Sequence, residues 1–294
     1  MAQLPLFPSL PDHPAPEFLF KNIRNPVWTE NKARLVANYL RYFVYITKHG
    51  CYIDGFAGPR TPDVADSWAA KLVVESEPKF LRDFYLCDLD SRKVERLEDL
   101  RDHQPHVPKR SINILEGDFN NLVHAILASG NITLSTATFC LIDQFTAECH
   151  WRTVEALARH KAGTNKIEIF YFLASGWLDR ALSGFTRNIQ IPELWWGRSD
   201  WHALRQLKSL NRALLLCDRF KKELGYKFAH PWAIMERSDG GRVMFHMIHA
   251  TDHAEAPKLM ARAYRNANLP PDAREQLNFA LEEFSGLADA YRST

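Results

Sequence analysis

The chain has 294 residues, of which 46% are hydrophobic and 24% are charged, and its formal net charge at pH 7 is +2. These values are ordinary for a globular protein with one sizeable hydrophobic core. A net charge this close to zero argues against nucleic-acid binding through an overall field, and no apolar run is long enough to span a membrane.

Residues 1–27 are rich in proline and predict an arm without regular structure. Thr29 can cap a helix, which a stripe of apolar residues predicts over residues 32–47. Apolar strands then alternate with helices. The strands are predicted at residues 50–54, 83–88, 112–116, 138–143 and 167–173, and the helices at 67–74, from residue 91, at 119–128 and at 153–160. This alternation predicts a doubly wound, mostly parallel α/β sheet.

The pattern changes after residue 210. A helix is predicted over residues 214–224, and it ends at Gly225. Two strand-like runs, 229–237 and 242–250, flank a Ser-Asp-Gly-Gly sequence that is typical of a β-hairpin. A mostly parallel sheet finished by an antiparallel hairpin is the methyltransferase-like, or Rossmann-like, arrangement. We therefore predict a seven-stranded sheet of this type.

These patterns divide the chain into three predicted parts. They are the arm at residues 1–27, a methyltransferase-like domain at 28–255 and a C-terminal helical segment at 256–294. Within the domain, residues 176–210 contain four tryptophans with little periodicity: Trp177, Trp195, Trp196 and Trp201. Because aromatic residues dominate the energetics of interfaces, this segment is predicted as an insertion over the sheet edge, where a substrate or partner would lie.

The most informative motif follows the first predicted strand. Asp54, Gly55, Phe56, Ala57 and Gly58 combine an acid at the carboxyl end of a strand with a turn of small residues. An open α/β sheet receives a nucleoside-bearing cofactor at such a place, and glycines let the backbone approach a ligand closely. The motif is similar to the first motif of S-adenosylmethionine (SAM) methyltransferases, and an ordinary strand-to-helix turn is the alternative.

Three further acids lie at the ends of successive predicted strands. Asp88 closes strand two, where a carboxylate can accept both hydrogen bonds of a ribose diol. Asp118 follows strand three, where it can receive an adenine amino group while Phe119 covers the ring. Asp143 closes strand four. Each acid alone is more often a helix cap than a ligand, but together with Asp54 they converge on one crevice.

Several motifs in order give the chain a specific resemblance. They are Trp28-Thr-Glu-x-Lys32, the Tyr39-Leu40 pair, the stretch from Tyr52 to Pro59, Asp88-x-Asp90, Gly117-Asp118 and the run from Asp143 through Phe145 to Trp151. The chain resembles the three-Cys-motif partner proteins from about Trp28 to the hairpin near Thr251. These are bacterial and phage-associated proteins that look like class I SAM-dependent methyltransferases, typically encoded beside a radical-SAM-like protein with three cysteines.

The resemblance implies a fold, a cofactor and a partner. SAM would lie against Asp54, residues 55–58, Asp88, Asp118 and Phe119, and the methyl acceptor would face Asp143, Gln144 and Phe145. The partner would be the three-cysteine, radical-SAM-like protein. The acceptor is not implied, and nucleic acid, protein and small molecule all remain possible.

The chain departs from this family after strand four. The family has Asp-Pro-Phe-Gly there, whereas this chain has Asp143-Gln-Phe-Thr146, so the rigid φ angle of proline is lost. Arg60 stands where the family commonly has a further glycine, and it could cover the pocket or contact an anionic group. Both departures argue against turnover more than against the fold. Gln144 and Thr146 favour the alternative, a catalytically inactive SAM-binding or structural partner subunit that kept the methyltransferase fold.

Histidines and cysteines do not predict a metal site. Offsets of three along a strand place His246 and His249 on opposite faces, so these two and His253 do not predict a metal cluster. The five cysteines show no C-x-x-C spacing, which argues against a zinc knuckle or redox pair and fits a reducing cytoplasm. No Walker loop or G-x-S-x-G elbow supports an NTPase or a hydrolase.

Overall fold

The computed structural model describes residue 27 and residues 31–60, 67–161, 163, 165–185, 189–237 and 240–267. Residues 1–26 of the predicted arm, the predicted Thr29 cap and residues 268–294 of the predicted C-terminal segment lie outside this description. Within the described residues, none of the helices is long and apolar enough to cross a membrane.

Helices and strands alternate through the first half of the chain, as predicted. The strands are β1 (Gly50–Asp54), β2 (Leu81–Asp88), β3 (Ser111–Glu116), β4 (Thr138–Ile142), β5 (Glu168–Leu173), β6 (Phe228–Arg237) and β7 (Gly240–Thr251). The helices are α1 (Lys32–Thr47), α2 (Ala69–Glu75), α3 (Ser91–Asp102), α4 (Phe119–Leu127), α5 (Trp151–Arg159), α6 (Ser175–Gly184), α7 (Gln190–Trp196), α8 (Ser209–Lys222) and α9 (Ala256–Asn266). A 3-10 helix, Ser199–Gln206, lies between α7 and α8.

The strands form one seven-stranded sheet with the order β3-β2-β1-β4-β5-β7-β6. The first five strands are parallel, and β7 is antiparallel to both β5 and β6. The predicted methyltransferase-like sheet with its C-terminal hairpin is therefore confirmed. The carboxyl ends of β1, β2, β3 and β4 lie at one edge of this sheet, which brings the four predicted acids to the same side.

Strands β1, β4 and β5 are buried on both faces, which explains why their sequences show apolar runs without alternation. One layer of the core packs Cys51, Ile53 and Cys140 against α4, α5 and α8. The other layer packs Tyr52 and Phe139 against α1 and α9. All five cysteines are buried and reduced, so they act as small apolar residues.

The segment predicted as an irregular insertion is mostly helical, since α6, α7 and the 3-10 helix occupy it. Trp195, Trp196 and Trp201 are 3%, 1% and 0% exposed, and they belong to the same core layer as α5 and α8. The prediction that these tryptophans offer a partner surface is therefore wrong. The helical period is hard to recognise in the sequence because α6, α7 and the 3-10 helix are short and each contributes only two or three buried positions.

Candidate functional site

A cleft of about 640 Å³ opens at the carboxyl edge of the sheet. Eight of the eleven predicted site residues line it: Gly55, Phe56, Gly58, Asp88, Asp118, Phe119, Asp143 and Phe145. The walls also contain Arg60, Leu89, Asp90, Lys93, Gly117 and Glu148. The three predicted residues outside the lining are Asp54, Ala57 and Gln144. Five acids and two bases face the cleft, which therefore favours a cationic ligand.

Asp54 lies beneath the loop that follows β1 and is 1% exposed. Its carboxylate accepts hydrogen bonds from the Tyr52 hydroxyl at 2.9 Å and from the Phe56 N–H at 3.1 Å. Burial, aided by the nearby carboxylates of Asp143 and Asp88, raises the pKa of Asp54 to about 7, while these two hydrogen bonds act in the opposite direction. Asp54 therefore fixes the loop after β1 from below.

The loop of small residues is held to both neighbouring strands by its backbone. Gly55 N–H donates to the Leu141 carbonyl at 3.0 Å, and Ala57 N–H donates to the Cys87 carbonyl at 2.7 Å. The Ala57 carbonyl in turn accepts from the Trp68 indole at 2.6 Å. Both backbone groups of Ala57 therefore bond within the protein, and its side chain is buried in the core outside the cleft lining.

The two glycines of the loop are required by the packing of the protein itself. A Cβ atom on Gly58 would lie 2.5 Å from both Asp88 Oδ2 and Lys93 Cβ, and one on Gly55 would lie 2.6 Å from the Phe119 ring. Real Cβ atoms do not approach other atoms this closely. The sequence assigned the glycines to close approach by a ligand, whereas here the close approach is by neighbouring side chains.

Asp88 closes β2 and is only 7% exposed. Its Oδ2 accepts from the Gly58 N–H at 3.0 Å, and its Oδ1 accepts from the Asp90 N–H at 3.0 Å. The Lys93 ammonium lies 3.6 Å from Oδ2. An ionised carboxylate can accept about four hydrogen bonds, so each oxygen retains capacity toward the cleft. Asp88 connects the ends of β1 and β2 whether or not it also binds a ribose.

Asp118 and Phe119 begin α4. The Asp118 carboxylate accepts from the Asn120 N–H at 2.9 Å and caps the helix, which was the alternative interpretation of each acid. Gly117 has a φ angle of +143°, a region that favours glycine. The Phe119 ring is 2% exposed and packs edge-on against Phe56, with the ring centroids 6.1 Å apart. Phe56 is the less buried ring of this pair and presents more surface to the cleft.

The end of β4 contains a charge cluster that the sequence did not predict as part of the site. Asp143 Oδ1 lies 2.6 Å from the Lys32 ammonium and 2.9 Å from Arg60 Nη2. Arg60 Nη2 also donates to the Asp143 carbonyl at 3.0 Å. Arg60 thus contacts an anionic group, as predicted, but that group belongs to the protein. The only available signal for Lys32 was its place in the Trp28-Thr-Glu-x-Lys32 motif.

Lys32 is 4% exposed and lies between two aromatic rings. Its ammonium is 5.0 Å from the Phe172 centroid and 4.8 Å from the Phe245 centroid. Burial lowers the pKa of Lys32 to about 8, while Asp143 opposes this change by favouring the charged form. The aromatic faces and the carboxylate together compensate for the loss of water around the ammonium.

Gln144 and Phe145 point in opposite directions. Gln144 is 0% exposed; its Oε1 accepts from the Cys149 N–H at 3.0 Å and its Nε2 donates to the Phe172 carbonyl at 3.3 Å. Its amide therefore does not face a methyl acceptor, contrary to the sequence interpretation. Phe145 is 63% exposed at the rim of the cleft, with the Arg60 guanidinium 5.4 Å from its centroid.

The histidines singled out in the sequence have separate partners. His246 Nδ1 is hydrogen-bonded to the Ser175 hydroxyl at 2.7 Å, whereas His249 Nε2 is hydrogen-bonded to Glu168 Oε1 at 2.7 Å. Within the described part of the chain, no group of three or more histidine, cysteine or acidic residues is arranged to hold a metal ion.

Comparison with known proteins gives a distant structural likeness. No family model matches the sequence, and no curated protein matches it. Among solved structures, the chain is similar to Trm1 from Pyrococcus horikoshii in complex with S-adenosyl-L-methionine. The identity is 11% and the TM-score is 0.39, over 80% of this chain and 58% of that chain. Similarity at this level does not assign a reaction to the present chain.

Proposed function

We propose that this protein is a SAM-dependent methyltransferase. The observation that carries the proposal is the acid-lined cleft at the carboxyl edge of a sheet with methyltransferase-like strand order. Ligands of open α/β sheets bind at this edge, outside the carboxyl ends of the strands. The cleft volume of about 640 Å³ also lies within the usual range for small-molecule sites.

The residues present fit this cofactor. SAM carries a sulfonium and an ammonium group, and the excess of acids over bases in the lining suits such a cation. Asp88 and Asp90 would accept hydrogen bonds from the ribose, and Asp118 from the adenine amino group, with Phe56 against the ring. Asp54 would add a negative charge below the methionine part.

When bound, SAM supplies an electrophilic methyl group for an in-line displacement. Such a transfer depends on positioning and on exclusion of water more than on a strong acid or base. Asp143 would orient the acceptor from the end of β4, held in place by Lys32, while Phe145 would pack against the acceptor at the rim. The acceptor class stays open, and the three-cysteine protein is the partner we propose from the motif resemblance.

A second candidate function has its own supporting observation. Gln144 points into the core, and Asp143 is occupied by two cations, Lys32 and Arg60. Both features favour a subunit that binds SAM, or only the partner, without transferring a methyl group. The two candidates differ in whether SAM binding is followed by turnover.

Isothermal titration of the full chain with SAM tests cofactor binding. We expect saturable binding, and Asp88→Ala should weaken it by about 1.5–3 kcal/mol, which is roughly 10- to 150-fold. Asp102→Ala removes an exposed acid on α3 and serves as the control, with affinity unchanged. Circular dichroism checks that both variants are folded. Absence of SAM binding by the unmodified protein would contradict both the enzyme and the SAM-binding alternative.

Transfer is tested with SAM labelled in its methyl group, in the presence of the three-cysteine protein and of nucleic-acid and protein substrates. We expect Asp143→Ala to eliminate transfer and to leave the complex with the partner intact. Transfer that persists in this variant would remove the end of β4 from the mechanism. SAM binding with no transfer to any of these substrates would instead favour the inactive subunit.

A further inference from the structure

A second cavity, of about 150 Å³, lies at the opposite edge of the sheet. Its wall includes Thr138 and Glu168, the first residues of β4 and β5, and Thr251, the last residue of the antiparallel β7. It is therefore separate from the cleft at the carboxyl edge. A cavity of roughly this size is known to hold one benzene molecule, so it suits a small organic body.

The wall contains a buried cation, Lys161. Lys161 is 2% exposed, and its ammonium donates to the Thr136 carbonyl and, at 3.0 Å, to the Thr138 hydroxyl. Both of these acceptors are neutral, and among the residues that the structure describes no acid pairs with Lys161. An ammonium has three N–H groups, so one is left after these two bonds. A buried charge without a counter-ion is unfavourable, which makes this position suited to an anion.

The other charged side chains that the structure describes in this wall have partners within the protein. Lys166 pairs with Asp252 at 3.4 Å. Glu168 accepts hydrogen bonds from three side chains, those of Tyr39, His249 and Thr251. Among the wall residues that the structure describes, Lys161 is thus a buried cation without a carboxylate partner, and a ligand with one carboxylate group would supply that partner.

The rest of the lining is suited to an apolar body. Phe43, Ala256 and Leu259 contribute apolar surface from α1 and α9. Ile46 and Leu134 also line the cavity and are 42% and 61% exposed, so they form its open side. A ligand that enters here passes apolar side chains before it reaches the Lys161 ammonium.

We propose that this cavity binds a small organic monoanion, with its carboxylate on the Lys161 ammonium and an apolar body the size of an aromatic ring against Phe43 and Leu259. The alternative is that Lys161 only ties the segment before β4 to the end of α5. The proposal concerns a different site from the SAM cleft and does not depend on the reaction performed there.

Titration of the full chain with benzoate, followed by calorimetry and by NMR, tests the proposal. We expect saturable binding with one site, and at least tenfold weaker binding of benzyl alcohol, which has the same ring without the charge. Lys161→Met should reduce benzoate affinity at least tenfold. Lys166→Met removes a cation of the same wall that already has an acidic partner, and it should change the affinity less than threefold.

A variant at the open side gives an independent result if Lys161→Met does not fold. Leu134→Asp changes an exposed side chain and places a negative charge at the entrance, so benzoate should bind at least threefold more weakly. Absence of saturable benzoate binding to the unmodified protein overturns the proposal. So does equal benzoate affinity in a folded Lys161→Met variant, or in Leu134→Asp where it alone folds.

Discussion

The carboxyl edge of the sheet and the helical segment after β5 both contain residues that the sequence singles out, but they use them differently. At the carboxyl edge, Asp88 and Asp143 bond to the protein and still line a cleft. In the helical segment, Trp195 and Trp196 donate their indole N–H groups to Tyr171 and Asp200 and are buried. The side chains of the first region can still bind a ligand, whereas the tryptophans of the second region are buried and hydrogen-bonded within the protein.

Residue type alone therefore does not separate a binding surface from a core. Arg219 illustrates this, since its guanidinium lies 3.8 Å from the Trp151 centroid and 4.2 Å from the Trp196 centroid, as a cation in an aromatic ligand site would. The arginine is itself 3% exposed and pairs with Glu223 at 2.8 Å. This cluster therefore packs α5, α7 and α8 against one another.

The strongest test concerns the buried helical segment after β5. Trp196→Ala should lower the free energy of unfolding by about 3–5 kcal/mol, because it removes a buried aromatic ring and one face of the Arg219 stack. Leu194→Ala, on the same helix but 46% exposed, should change stability by less than about 0.5 kcal/mol. Chemical denaturation measures both. A stable Trp196→Ala variant would mean that this segment is not part of the core.

The next effect concerns the charge cluster at the end of β4. Asp143→Ala leaves the buried Lys32 ammonium without its carboxylate, and we expect a loss of about 1.5–3 kcal/mol in the free energy of unfolding at pH 7. Asp143→Asn keeps an oxygen acceptor and should lose less. Equal stability of the alanine variant and the unmodified protein would show that Lys32 does not depend on Asp143.

Gly58→Ala tests the packing at the loop after β1. The added Cβ would lie 2.5 Å from Asp88 Oδ2, so the loop or Asp88 must shift, and we expect a loss of about 1–3 kcal/mol in stability. SAM affinity should fall as well, since Asp88 moves. Gly130→Ala gives a control in open space, although its φ angle of +82° adds some strain of its own. Unchanged stability and SAM affinity in Gly58→Ala would show that the packing of this loop does not determine the shape of the cleft.

A further effect is a pH dependence of stability that arises from Asp54. Its pKa of about 7 in the native state exceeds the ordinary value of 3.8, so the native state binds more protons between these values. The contribution of Asp54 to the free energy of unfolding is therefore fully present below pH 3.8, where the carboxyl group is protonated. This contribution is lost as the pH rises through 7, by at most about 1.4 kcal/mol per pH unit. Asp54→Asn should remove this slope.

Denaturation curves between pH 4 and 8 measure the difference between the Asp54→Asn variant and the unmodified protein. Asp102→Asn, an exposed acid, should leave the slope in place. The same titration predicts that a cationic ligand above Asp54 binds more tightly as the pH rises from 6 to 8, because the ionised carboxylate attracts it. An identical slope in Asp54→Asn would assign the pH dependence to other groups.

The sequence predicted the sheet well because its strands are marked locally. Runs such as Phe84 to Cys87 are apolar on both faces, and an acid or a turn follows each of them. The acids at strand ends could be found for the same reason. Parallel strands bring their carboxyl ends to one edge, so a local pattern was enough to place residues that are far apart in the chain.

The parts that sequence reasoning missed depend on contacts between distant residues. Lys32 and Asp143 are 111 positions apart, and nothing in either segment indicates the other. The inward direction of Gln144 is set by the Phe172 carbonyl and the Cys149 N–H, which depend on how β4, β5 and the following turn pack. Similarly, Trp196 is buried by α5 and α8, which are distant in sequence. The tryptophan content of the segment alone therefore indicated an exposed surface instead of a core.

The strand order has a consequence for how the chain is made. Strand β7 lies between β5 and β6, so the outer edge of β5 has no neighbour until the last strand of the sheet has left the ribosome. All six residues of β5 are buried in the finished protein. A nascent chain that ends before Gly240 thus presents an open, apolar strand edge, which is prone to join other chains. Synthesis of the final hairpin covers this edge.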